Sequence, residues 1–213
     1  MEKALISPEV SDYMTTLVPT RPPEMQAMEA YAQEHSFPII GPVVGYLCYQ
    51  IARMSRAKRV FEMGSGYGYS TAWFARAVHE NGGGEVHHVV WDENLSFMAH
   101  RHLSTLGFGE IVRYQVSEAV EALRKTPGPF DLIFNDIDKE GYLESLPVIF
   151  EKLRSGGVLI IDNMLWYGRI FDQHDNSIST QAIKELTRRL TTDPGWISTL
   201  IPIRDGLLVA YKM

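Results

Sequence analysis

From Pro8 to about Ala57, apolar residues return every third or fourth position, as in MQAMEAYAQEH and VVGYLCYQIARM, with prolines punctuating the run at VPTRPPEM and FPIIGP. This spacing predicts an N-terminal helical region, residues 1–57. From Lys58 the pattern changes: short β-branched or aromatic runs alternate with helical ones. RVFEMG precedes TAWFARAV, EVHHVVW precedes LSFMAHRHLSTL, IVRYQV precedes AVEALRK, and FDLIFND precedes LESLPVIFEKL and then GGVLIID. Strand and helix segments of this length predict an α/β fold, a Rossmann-like parallel sheet covered on both faces. After the helix TQAIKELTRRLTT, the runs GWISTLIPI and GLLVAYKM meet across Arg204-Asp205-Gly206, which predicts a closing antiparallel hairpin. No repeat, low-complexity tract or linker divides the chain, so residues 1–213 read as one domain.

Composition narrows the partners. The 213 residues are 45% hydrophobic and 22% charged, enough for one substantial core, and the net charge of -6 argues against a phosphate backbone as the main ligand. Cys48 is the only cysteine, which excludes an internal disulfide or a cysteine metal cluster. The first residues, MEKALISPEV, lack a basic stretch followed by an apolar one, and no apolar run approaches membrane-spanning length. A soluble cytoplasmic protein with no membrane partner is the expectation.

The candidate chemistry lies where strands end. The first strand runs into Glu62-Met63-Gly64-Ser65-Gly66-Tyr67-Gly68-Tyr69-Ser70, with a helix close behind. Glycines there permit positive φ and let a ligand approach the main chain. The spacing is G-x-G-x-G rather than the dinucleotide G-x-G-x-x-G, and an acid precedes the first glycine by two. A nucleoside with a cationic or polar tail, positioned by Glu62, suits this turn better than a pyrophosphate. The fourth strand ends in Asn135-Asp136-Ile137-Asp138-Lys139, and the fifth in Asp162-Asn163. Neighbouring parallel strands would bring the oxygens of Asp136, Asp162 and Asn163 to one sheet edge, a set suited to Mg²⁺ or another hard cation such as Mn²⁺ or Ca²⁺, completed by substrate oxygens. The adjacent histidines His87 and His88 should point to opposite faces of their strand.

Three segments in order, FEMGSGYGYSTAWFARAV, DLIFNDIDKEGY and GGVLIIDNMLWYGR, closely resemble the cation-dependent O-methyltransferases that use S-adenosylmethionine, a group that includes catechol and caffeoyl-CoA O-methyltransferases. The resemblance runs from LISPEVSDYM to DGLLVAYKM. It implies a seven-stranded sheet with a reversed last strand, and methyl transfer from a sulfonium to a phenolic hydroxyl held on a metal. It places the metal on Asp136, Asp162 and Asn163 and the general base at Lys139. Glu62, Gly64, Ser65, Gly66, Tyr67, Gly68 and Ser70 align with the cofactor site, which Asp136 also borders, Gly41 with the N-terminal cover, and Ser117 and Glu118 with the adenine end, where contact through backbone is an alternative. The family's usual acid for the ribose hydroxyls, at the end of the second strand, is Val90 here. Asp92, two residues on, has the chemistry for that role and also for capping the next helix. Val116 stands where the family often has glycine. Trp166 and Tyr167 offer an aromatic wall for a planar acceptor, and a homodimer through the N-terminal helices fits the family. Two other readings stay open: a nicotinamide-dependent oxidoreductase, and a non-catalytic cofactor-binding protein. The missing dinucleotide spacing weighs against the first, and a lysine beside a metal trio weighs against the second.

Overall fold

Residues 5–213 are described by a computed structural model, so the first four residues of the predicted helical region lie outside the described residues. Three helices open the chain: α1 (Pro8–Leu17), α2 (Pro23–His35) and α3 (Gly41–Met54). Strands and helices then alternate as β1 (Arg59–Met63), α4 (Tyr69–Glu80), β2 (Glu85–Val90), α5 (Glu93–Thr105), β3 (Val112–Val116), α6 (Ala119–Lys125), β4 (Phe130–Asn135), α7 (Tyr142–Lys152) and β5 (Leu153–Ile161). The chain closes with α8 (Ile178–Thr192), β6 (Trp196–Ile201) and β7 (Leu207–Lys212). The predicted hairpin forms, with Trp196 opposite Lys212 and Ile201 opposite Leu207.

The seven strands are ordered β3-β2-β1-β4-β5-β7-β6. Strands β1 to β5 are parallel, and β7 enters antiparallel between β5 and β6. This is the Rossmann-like sheet with a reversed last strand that the pattern and the resemblance predict. Strand β5 starts earlier than its apolar run, directly where α7 ends, because Leu153 pairs with Phe130 before a register shift brings Val158 beside Leu132.

Strand alternation divides the core. Val60, Leu132, Phe134 and Ile160 face one side, where Val44 and Cys48 of α3 and Trp73 and Phe74 of α4 pack. Phe61, Ile133, Leu159 and Ile161 face the other, against α6, α7 and α8 through Leu123, Ile149 and Ile183. The two histidines of β2 separate as expected. His87 stacks on Phe61, whereas His88 faces α4 and meets Thr71 at 3.0 Å. Between β1 and β4 the chain order of the sheet reverses, and the crevice at the carboxyl ends of such strands is where ligands bind in open α/β sheets.

Candidate active site

The turn after β1 is shaped by its glycines. Gly64 has φ +84°, and a Cβ there would stand 2.4 Å from the carbonyl oxygen of Asp136, so only glycine lets the β1 turn lie against the end of β4. Ser65 closes the same corner: its amide donates to the Val89 carbonyl at 2.9 Å, and its hydroxyl accepts from the Val89 amide at 2.9 Å. That hydroxyl therefore clamps β1 to β2.

A cleft of about 660 Å³ opens above these strand ends. Among the predicted residues, Gly64, Gly66, Ser117, Glu118, Asp136, Lys139, Asn163, Trp166 and Tyr167 line it. Others are elsewhere. Tyr67 is buried under α2, its hydroxyl donating to the Met28 carbonyl at 2.9 Å, and Gly68 begins α4 against Ala99. Gly41 lines a neighbouring, mostly apolar pocket of about 300 Å³ with Met14, Ile40 and Ile203. Asp92 caps α5, accepting from the Leu95 amide at 2.9 Å. Glu118 borders the cleft, but its two carboxylate oxygens accept from the amides of Val120 and Glu121 at 2.8 Å. Its side chain thereby caps the start of α6. Val90 is buried, while Trp91 beside it is 82% exposed and forms part of the cleft wall with Phe37.

Glu62 is fully buried beneath the glycine turn. Thr71 donates its hydroxyl to one carboxylate oxygen of Glu62, and the hydroxyls of Ser70 and Ser65 lie close to the carboxylate. Burial pushes Glu62 up to about 7, against the hydroxyls of Ser70, Thr71 and Ser65, with the charge of Asp136 adding to the rise. Burial holds His88 down at about 3, so it is neutral at physiological pH. With Thr71 donating to Glu62, the geometry leaves the Thr71 oxygen to accept from Nδ1–H of His88. The chain Glu62–Thr71–His88 fixes the carboxylate's orientation from below.

At the ends of β4 and β5 lie Asp136, Asp162 and Asn163. Asp162 is 1% exposed; its Oδ2 accepts from Nη1 of Arg204 at 2.8 Å, and its Oδ1 is buried without a partner. Its main-chain carbonyl accepts from the Tyr142 hydroxyl at 2.8 Å, which fixes this end of β5. Asp136 is raised above the ordinary carboxylate range, by burial first and by the charge of Asp162 second, with Lys139 and Arg204 opposing. Lys139 is itself buried, its Nζ 3.2 Å from Asp136 Oδ1 and 3.0 Å from the Ile137 carbonyl, above the ring of Tyr142.

Among the described residues, no group of three or more His, Cys, Asp and Glu side chains forms a metal cluster. The set here is two carboxylates and an amide, all hard oxygen donors. The orphaned Oδ1 of Asp162 and the mutual strain of the carboxylate pair fit a divalent cation that keeps positions for other oxygen ligands. Among the described residues, four of the six non-glycine residues with positive φ, Asn163, Trp166, Tyr167 and Arg204, lie in the segments that carry this site. Backbone strain of this kind concentrates at functional sites.

In the sequence, Arg204 and Asp205 read only as part of a hairpin joint. Asp205 is buried and accepts from the Tyr167 amide at 2.5 Å. The partners meet only because β7 returns alongside β5, which brings Arg204 to Asp162 across 42 positions of sequence.

Residues 29–213 match the family model described as O-methyltransferase. A catechol O-methyltransferase from Niastella koreensis is 26% identical over 180 residues, covering 80% of each chain. A catechol O-methyltransferase from Mycobacterium tuberculosis is 30% identical over 157 residues, covering 73% of this chain and 70% of the relative. In fold, the O-methyltransferase from Bacillus cereus, solved in complex with SAH, superposes with a TM-score of 0.87 at 22% identity, covering 96% and 97% of the two chains. With the family model spanning the glycine turn, both acidic strand ends and the closing hairpin, this chain belongs to the O-methyltransferase family.

Proposed function

We propose that this O-methyltransferase takes its methyl group from S-adenosylmethionine and passes it to one hydroxyl of a small vicinal phenolic diol held on a divalent cation. The carrying observation is that Asp136, Asn163 and the buried amine of Lys139 line one cleft with Gly64 of the β1 turn, with Asp162 buried beside Asn163 at the end of β5. The G-x-G-x-G spacing and Val90 weigh against a nicotinamide oxidoreductase, and binding alone needs no base beside a metal.

The cofactor would supply an electrophilic methyl on a cationic sulfur. Its nucleoside would lie along Gly64, Gly66 and Ser117 with Phe37 and Trp91 in the wall, and its cationic amino-acid end would face the glycine turn, beneath which Glu62 is buried. Asp136, Asp162 and Asn163 would hold the cation, which would supply positive charge for the ionised acceptor hydroxyl. Lys139 would take that hydroxyl's proton at Nζ, and its short tether to the Ile137 carbonyl keeps it pointed along the cleft floor. Trp166 and Tyr167 would hold the ring of the acceptor, excluding water and fixing near-attack geometry, which is worth roughly 7–11 kcal/mol of a barrier. Incubation with labelled S-adenosylmethionine tests the acceptor class: catechol should gain label, and phenol, with one hydroxyl, should not. Equal labelling of both would sink the diol assignment.

Glu62 gives a pH prediction. Its folded value of about 7 lies above the ordinary 4.5, so its contribution to stability is fully present below about pH 4.5 and is lost as pH rises through 7. An ammonium group needs the ionised form. Affinity for S-adenosylhomocysteine should therefore rise about tenfold between pH 6 and pH 8, and Glu62→Gln should flatten the rise. Calorimetric titration at several pH values measures it, and a flat wild-type profile would remove Glu62 from the cofactor site.

The homodimer is proposed on the surface of α1, which buries none of its residues and exposes Val10, Tyr13 and Leu17. No helix among the described residues is long and apolar enough to cross a membrane.

A further inference from the structure

Arg204 is an unusual residue for its place. It sits at φ +50° in the connection between β6 and β7, a left-handed conformation that favours glycine or asparagine. An arginine held there against its backbone preference calls for a reason in its side chain. That side chain reaches Asp162 Oδ2 at 2.8 Å and forms part of the wall of both the main cleft and the apolar pocket, a third of it exposed. Lys139 stands on the other carboxylate, 3.2 Å from Asp136 Oδ1. Each acid of the proposed metal set thus has its own protein cation, while Asp162 Oδ1 remains unengaged and buried.

We infer that Arg204 is a resident counter-charge that keeps divalent-metal affinity low until an acceptor oxyanion enters. The inference rests on the metal reading proposed above. The guanidinium does not occupy the free oxygen, so it does not block coordination. It acts through charge: a fixed cation on Asp162 offsets the attraction that this carboxylate would offer a dication, and at such separations the repulsion is substantial even with screening. An ionised diol restores negative charge, so metal and acceptor bind best together. A site with the same oxygens but no arginine would hold its metal in the absence of substrate.

The test is a Mn²⁺ titration of the purified protein, with free Mn²⁺ followed by electron paramagnetic resonance and no cofactor or acceptor present. Arg204→Gln removes the charge at similar size. Arg204→Gly also removes it and suits the left-handed backbone, so it guards against a variant that fails to fold; Arg204→Lys keeps the charge. We expect both neutral variants to bind Mn²⁺ at least about tenfold more tightly than wild type, and Arg204→Lys to stay near wild type. Unchanged or weaker binding in the folded neutral variants would overturn the role of Arg204 alone. No saturable Mn²⁺ binding in wild type or any variant would overturn both this inference and the metal reading beneath it.

Discussion

Replacing Lys139 by alanine is expected to lower turnover by about 10²- to 10⁴-fold, the range a positioned general base contributes, while affinity for S-adenosylhomocysteine changes little. The structure separates these two effects. Lys139 lines the cleft, hydrogen-bonded to Asp136 and to the Ile137 carbonyl, whereas Glu62 lies on β1 and the glycine turn follows it. A structural role for the amine would need only its positive charge beside Asp136. Lys139→Arg keeps that charge but cannot accept a proton near neutral pH, so it should remain nearly as slow as the alanine variant. Steady-state rates with a catechol acceptor measure both. Full activity in Lys139→Arg would reassign the lysine to charge balance.

The second large effect is expected from Gly64→Ala. The added methyl would meet Asp136 at 2.4 Å from its carbonyl oxygen and 2.8 Å from its carbonyl carbon, both main-chain atoms that cannot rotate aside. The alanine would also inherit φ +84°. Together these should cost about 2–5 kcal/mol of stability and lower the melting temperature by several degrees. Whatever stability survives, the end of β4 must shift, and with it Asp136 and Lys139. Loss of cofactor binding and of turnover should therefore accompany the lower melting point. A variant that melts and binds like wild type would show that the turn does not lie against β4 in this way.

The strands and helices were legible because each announces itself locally. FDLIFND is a buried central strand and reads as one; the period-2 alternation of its neighbours assigns Phe61 and Val60 to opposite faces without reference to anything distant. The acidic strand ends were legible for the same reason, since parallel neighbours must deliver Asp136 and Asp162 to one edge. The glycine motif was legible as a turn but not residue by residue. Ser65 and Tyr67 read as cofactor-facing, yet Ser65 ties β1 to β2 and Tyr67 anchors α2, because side-chain direction within a tight turn follows no period. Asp92 offered a ribose ligand or a helix cap from sequence, and its hydrogen bond is to the helix. Arg204, Trp91 and the Thr71–His88 support of Glu62 depend on which strands lie side by side and on what crosses between them. A single chain's pattern does not carry those juxtapositions.

The most direct measurement is product mass after incubation of the protein with S-adenosylmethionine and catechol, run in Mg²⁺ and in excess chelator, with Asp162→Ala beside the wild type. A gain of one methyl group is expected in Mg²⁺, none in chelator, and none for Asp162→Ala in either. Methylation that proceeds equally well in chelator would contradict this, leaving an O-methyltransferase whose acidic strand ends serve something other than a metal.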